Sequence, residues 1–150
     1  MTTIDGQASL VISSDTYTAA DVTKALGIEP DWSAEKGDLR PRTNSGAEPI
    51  RRRFYETSMW ALEVDSSPAT MMSVDDDESK GFATLQVLVD RLLGRGPMLA
   101  HMRQFYTIQL NWYGTSGGHQ AAFTLPIGLL RDLAELGLDV FGTVYAAPAD

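Results

Sequence analysis

Apolar and polar residues along this chain change period several times, and each change marks an element. Ala8 to Ser13 is a short apolar run rich in β-branched residues, the pattern of a buried strand. Thr18 follows as a candidate N-cap, with Asp21 three positions later as an acidic variant of the capping box. Val22, Ala25 and Leu26 then share one helical face, and Gly27 supplies the stop, with Pro30 just beyond. Extended structure resumes from Arg51 to Asp65, where Trp60, Leu62 and Val64 alternate with Met59 and Ala61, placing the larger apolar side chains on the core face. The stretch Arg51 to Glu56 is either the beginning of that strand or a separate one.

Phe82, Leu85, Leu88, Val89 and Leu92 recur at helical spacing, and Gly94, Gly96 and Pro97 interrupt the pattern before Met98 to Arg103 resumes it. A two-piece helix is predicted. Phe105 to Tyr113 alternates, with Tyr106, Ile108, Leu110 and Trp112 on one side, and Gly114 to Gly118 has the composition of a hairpin turn leading to a second strand at His119 to Leu125. Pro126 opens the last helix, which runs through Leu129, Leu130, Leu133 and Leu136 to a stop at Gly137; Val140 to Tyr145 is the final strand.

Between these elements the composition shifts. Residues 30–50 are rich in Pro, Gly, Ser, Asn and charge and predict an irregular loop of unusual length. Residues 66–80 carry Asp75, Asp76, Asp77 and Glu78 and predict a solvated acidic linker, and 147–150 a free tail. Strand, cap, short helix and a Leu-Gly-aliphatic stop occur at Leu10 to Ile28 and again at Phe123 to Leu138. The pattern predicts a single α+β domain over 1–150: a two-layer sandwich with a mostly antiparallel sheet, about three helices on one face, and two βαβ-like halves of ferredoxin-like tendency.

Composition narrows the chemistry. The chain has 150 residues, enough for one core, with 43% hydrophobic and 21% charged residues, the balance of a globular protein. It has no cysteine, which removes disulfides, thiolate metal sites and cysteine nucleophiles. The formal net charge of −8 argues against general nucleic-acid binding and suits a basic partner better. Met-Thr-Thr-Ile-Asp at the start lacks the basic and apolar regions of a secretory leader, and no run approaches the roughly 20 apolar residues of a membrane helix. A cytoplasmic location without membrane contact is the expectation.

No catalytic constellation stands out. His101 and His119 lack a second ligand at helical spacing, and the consecutive carboxylates Asp75 to Glu78 do not alternate around a glycine as calcium loops do, so no metal or other cofactor is expected. Gly94 to Pro97 lacks the Lys-Ser/Thr ending of a phosphate loop, and no Gly-x-Ser-x-Gly elbow occurs. Arg40, Arg42, Arg51, Arg52 and Arg53 do cluster in or beside the long loop, a local positive patch that could hold a phosphate, a nucleotide or an acidic surface through guanidinium contacts. Internal pairing with the acidic excess is the competing explanation. Trp32 lies in the same loop and, if exposed, is a candidate anchor for a partner.

Ser9 to Asp15, the helix ending Leu26-Gly-Ile-Glu-Pro30, Glu35-Lys36-Gly37, the strand residue Trp60, and Leu133 to Leu138 with Tyr145 together resemble a bacterial family of unknown function, numbered 4279. The resemblance spans nearly the whole chain and is most specific at Leu-Gly-Ile-Glu-Pro followed by Lys-Gly and a later Trp; the linker 66–80 looks like an insertion. It implies a small cytoplasmic α+β protein without an established activity, and so transfers no catalytic residues. Two readings stand open. One is a non-enzymatic protein-binding module, of which an immunity-like role against a basic toxin is a concrete form, using Trp32 and the arginines. The other is a domain for a small anionic ligand, or a weak enzyme, using the arginines with Glu35 and Lys36.

Overall fold

Alternating β-branched and aromatic residues place β1 at Ile4–Ser14, β2 at Trp32–Ala34, β3 at Ser58–Val64, β4 at Thr107–Ser116 and β5 at Val140–Ala146. The computed structural model describes residues 4–41, 53–66, 80–118 and 122–146. Within them α1 covers Ala19–Leu26, α2 Ala83–Leu92 directly after a 3-10 turn at Lys80–Phe82, α3 Gly96–Met102 and α4 Ile127–Leu136. Among the described residues no helix is long and apolar enough to cross a membrane.

The strands form one sheet in the order β2-β3-β1-β4-β5. Every neighbouring pair is antiparallel except β4 and β5, which run parallel. β1-α1-β2 is thus a split βαβ unit with β3 between its strands, and β3-α2-α3-β4 is a second with β1 between its strands. This interleaving is the ferredoxin-like arrangement, to which α4 and β5 add a direct parallel crossover at the β4 edge.

Register places the core on one face. Leu10 stands between Leu62 and Leu110, Ile12 between Trp60 and Ile108, and Ala8 between Val64 and Trp112. All four helices bury residues against that face: Val22 and Leu26 from α1, Leu85, Leu88, Val89 and Leu92 from α2, Leu99 and Met102 from α3, and Leu129, Leu133 and Leu136 from α4. The polar atoms carried into this core are satisfied at both tryptophans. Trp60 Nε1 donates to Thr23 Oγ1 at 2.9 Å. Trp112 stacks on Phe82 with 4.6 Å between centroids and donates to the Gly81 carbonyl at 2.6 Å.

The helix boundaries follow the local signals. Thr18 Oγ1 accepts from the Asp21 N–H at 3.2 Å, and Gly27 and Gly137 end α1 and α4 with φ of 66° and 65°, a conformation open to glycine at little cost. The expected break appears where Leu92 gives way to Gly96, so the two-piece helix becomes α2 and α3 and the helix count rises to four.

Two expectations change. Among the described residues no hairpin follows Phe105 to Tyr113: β4 continues through the glycine-containing Gly114–Ser116, its two edges are taken by β1 and β5, and residues 122 to 126 are not strand. Within the stretch expected to be irregular from 30 to 50, Trp32–Ala34 pairs with β3, and further on Leu39 bridges to Phe54. The acidic run Asp75 to Glu78, His119 and the tail 147–150 lie outside the described residues.

Candidate functional site

With every described helix on one face, the other face of the sheet carries the alternate residues. Rows of opposed side chains cross it: Trp32, Ala61, Val11 and Gln109 form one, Glu63, Ser9, Asn111 and Phe141 the next, then Gln7, Tyr113 and Thr143. This composition is mixed rather than apolar, as suits a face that meets water.

Residues Gln7, Ser9, Asp31, Glu63, Asp65 and Tyr113 line a concavity of about 520 Å³ at one end of this face. Three carboxylates enter it, and two are fixed by hydrogen bonds. The Asp31 carboxylate accepts from the Glu63 backbone N–H at 2.7 Å and from Arg91 at 3.2 Å, across from α2. The Glu63 carboxylate accepts from Trp32 Nε1 at 2.8 Å. Trp32 is half-buried, held in the β2 edge with Ala61 as its cross-strand partner, so its indole positions a carboxylate rather than projecting freely. The guanidinium of Arg91 offsets one of the three negative charges. The concavity therefore presents oxygen acceptors with a tyrosine wall, a setting for a cationic or hydrogen-bond-donating group.

A second concavity, of about 530 Å³, lies near the start of β3 and is lined by Arg40, Arg53, Phe54, Tyr55, Glu56, Thr57 and Met59. Its wall is a short ladder: the Arg40 N–H donates to the Arg53 carbonyl at 2.9 Å, the Gly37 N–H to the Tyr55 carbonyl at 2.8 Å, and the Tyr55 N–H to the Asp38 carbonyl at 2.9 Å. The Arg40 guanidinium lies 5.4 Å from the Tyr55 ring centroid, a cation–π contact that holds it at the rim. Met59 and Asp65, one in each concavity, are six residues apart on an extended strand, or about 20 Å.

The residues singled out from sequence thus separate into groups. Arg40 and Arg53 converge, with Glu56 beside them. Arg42, Arg51 and Arg52 lie outside the described residues. Glu35 and Lys36 are engaged elsewhere: both Glu35 carboxylate oxygens accept backbone N–H groups at the start of α1, and Lys36 Nζ donates to the Asp15 carbonyl at 3.1 Å. His101 is exposed with its ring 5.4 Å from Phe105, edge to face. Among the described residues, no group of three histidines or carboxylates is arranged to hold a metal ion. The acidic concavity was not anticipated. Its sequence signal is the pair Glu63 and Asp65, charges on the outer side of an otherwise apolar alternation.

No curated protein and no solved structure matches this chain. The model of a domain of unknown function, DUF4279, matches residues 2–146, and the chain belongs to that family.

Proposed function

We propose that this chain is a cytoplasmic, non-enzymatic protein-binding module whose sheet face opposite the described helices receives a basic segment of its partner. The observation that carries the reading is the concavity lined by Asp31, Glu63 and Asp65, with Gln7, Ser9 and Tyr113 beside them, on a chain of net charge −8. A lysine or arginine side chain matches it in charge and in hydrogen-bonding sense, and the surrounding acidity speeds the approach of a basic protein. An immunity-like role, neutralising a basic toxin, is one form such a module takes. Affinity capture from the native host with the wild-type chain and with Glu63→Gln/Asp65→Asn tests it. The same basic protein should be recovered repeatedly with the first and lost with the second. Recovery of no partner, or undiminished recovery with the double variant, overturns the reading.

The convergence of Arg40 and Arg53 around about 530 Å³ favours a second reading, a site for a small anion, with Tyr55 holding one guanidinium in place. The internal ladder that builds its wall gives it a defined shape. Thermal-shift titration with inorganic phosphate and with a nucleoside triphosphate distinguishes the two readings. Stabilisation that disappears in Arg40→Ala/Arg53→Ala supports the anion site, and unchanged melting in both proteins removes it.

A further inference from the structure

The two edges of the sheet are treated differently. At one end β2 is only three residues long and is bordered by Asp31, Glu35 and Lys36, charges that discourage a further strand. At the other end β5 is seven residues long, Val-Phe-Gly-Thr-Val-Tyr-Ala, with no lysine, proline or carboxylate. Among the described residues nothing pairs with its outer edge. Its side chains are uncovered on both faces: Phe141 is 60% exposed and Tyr145 56% on the side away from the helices, and Val144 48% on the other. A long, neutral, unpaired edge of this kind is a template for another strand.

We infer that β5 is the contact between two copies of this chain, paired antiparallel about a two-fold axis through Thr143. Three observations select a second copy as the occupant. A closed two-copy contact through one patch must be self-complementary, and two-fold pairing of identical strands is antiparallel. In the register centred on Thr143, Phe141 of each copy stands opposite Tyr145 of the other on one face, with the two Thr143 side chains between these aromatic pairs. On the other face Gly142 meets Val144, small against large, and Val140 meets Ala146. Aromatic and Thr–Thr cross-strand pairs are favourable contributors in antiparallel sheets. Finally, two chains of charge −8 repel, and β5 is a surface on which they touch without opposing carboxylates. The product is one continuous ten-stranded sheet, with the acidic concavities repeated on either side of the axis. A contact made mainly by two strand edges is small, so the dimer is reversible.

Sedimentation velocity of the full chain, from about 1 to 500 μM to span a micromolar dissociation constant, tests the inference. The wild type should pass from monomer to dimer, and Thr143→Lys, which sets two like charges face to face on the axis, should weaken association by about tenfold or more. Phe141→Glu and Tyr145→Arg, at more exposed positions, should each weaken it too, and an equimolar mixture of these two should recover association through a Glu–Arg pair. Far-UV circular dichroism confirms that each variant is folded. A wild type that stays monomeric over the whole range overturns the proposal and leaves the edge to a strand from a different protein. Association unaffected by Thr143→Lys, or a mixture that associates no better than its components, overturns it as well.

Discussion

Glu35 caps a helix that began before it in the chain: its carboxylate accepts the N–H groups of Ala19 at 3.2 Å and Ala20 at 3.0 Å. Thr18 satisfies the next free donor, that of Asp21. The first turn of α1 thus has three of its orphan N–H groups bonded to side chains, one set local and one supplied from beyond β2. The carboxylate also lies at the positive end of the helix dipole. Glu35→Ala should therefore cost about 1–2 kcal/mol of unfolding free energy, read from urea denaturation at pH 7. Glu35→Gln, which keeps one acceptor and loses the charge, should lose about half as much. If both variants unfold at the wild-type urea concentration, the capping role is wrong and Glu35 returns as a residue available to a ligand.

Gly6 marks the place where β1 passes beneath the 3-10 turn that precedes α2. A Cβ there would lie 1.9 Å from the Gly81 carbonyl oxygen and 2.6 Å from Trp112 Nε1, the two atoms that hydrogen-bond to each other. Neither can yield cheaply, since one is backbone and the other belongs to a buried, stacked indole. Gly6→Ala should destabilise by about 3 kcal/mol, the upper end of overpacking costs, and should alter the near-ultraviolet circular dichroism of Trp112. A variant with wild-type stability and spectrum would mean that the turn is not held against the strand. Gly128, where an added Cβ meets nothing within 4 Å, is the matched control.

These two sites show where sequence reading succeeds and where it stops. Signals that act within a few residues were legible: the Thr18 cap, the αL stops at Gly27 and Gly137, the alternation that buries Trp60 and Leu62, and the glycine–proline break between α2 and α3. Gly114–Ser116 misled because glycine next to serine and threonine has turn composition. Here Gly114 lies opposite Gly6 and Val144 in a strand with partners on both edges, and tertiary pairing overrides the local preference. The site was illegible for a related reason. Asp31, Glu63 and Gln7 are far apart along the chain and meet only because β3 lies between β1 and β2, a strand order that no periodicity encodes. The arginine cluster was visible as composition, but which of its members share a wall depends on the ladder that pairs Arg40 with Arg53.

Tyr106, immediately before β4, ties the turn after α3 to the start of α1 through a 2.9 Å hydrogen bond from its hydroxyl to the Thr18 carbonyl. Burial pushes its phenol above the ordinary tyrosine value, and the nearby Asp21, Glu35 and Tyr17 push in the same direction. The folded state therefore holds this proton more tightly than the unfolded chain, whose tyrosines ionise near pH 10. Its contribution is complete below that pH and is lost as pH rises through the higher folded value. Tyr106→Phe should cost about 1 kcal/mol at pH 7, the worth of the hydrogen bond. Above about pH 10 the stability gap between wild type and variant should narrow, because only the wild type has this group to ionise on unfolding. Urea midpoints of both proteins from neutral to alkaline pH decide the point; a gap that stays constant above pH 10 contradicts it.

Thr84 presents the opposite case, a polar atom whose removal should help. It lies in the first turn of α2, fully buried, and among the described residues its hydroxyl has no hydrogen-bond partner. A hydroxyl taken from water without compensation costs free energy, and deleting it while keeping the shape recovers that cost. Valine has the same branched outline and places a methyl where the oxygen stood. Its helix propensity is close to that of threonine, so the balance is decided by a desolvation penalty of about 1–3 kcal/mol. Thr84→Val should accordingly raise stability by about 1 kcal/mol, with an unchanged denaturant slope because the surface exposed on unfolding is the same. Thr84→Ser, which retains the hydroxyl and removes the methyl, should fall below wild type. Were the valine variant the less stable of the two, the hydroxyl must be bonded in solution, and α2 would begin with a satisfied polar anchor instead of a buried liability.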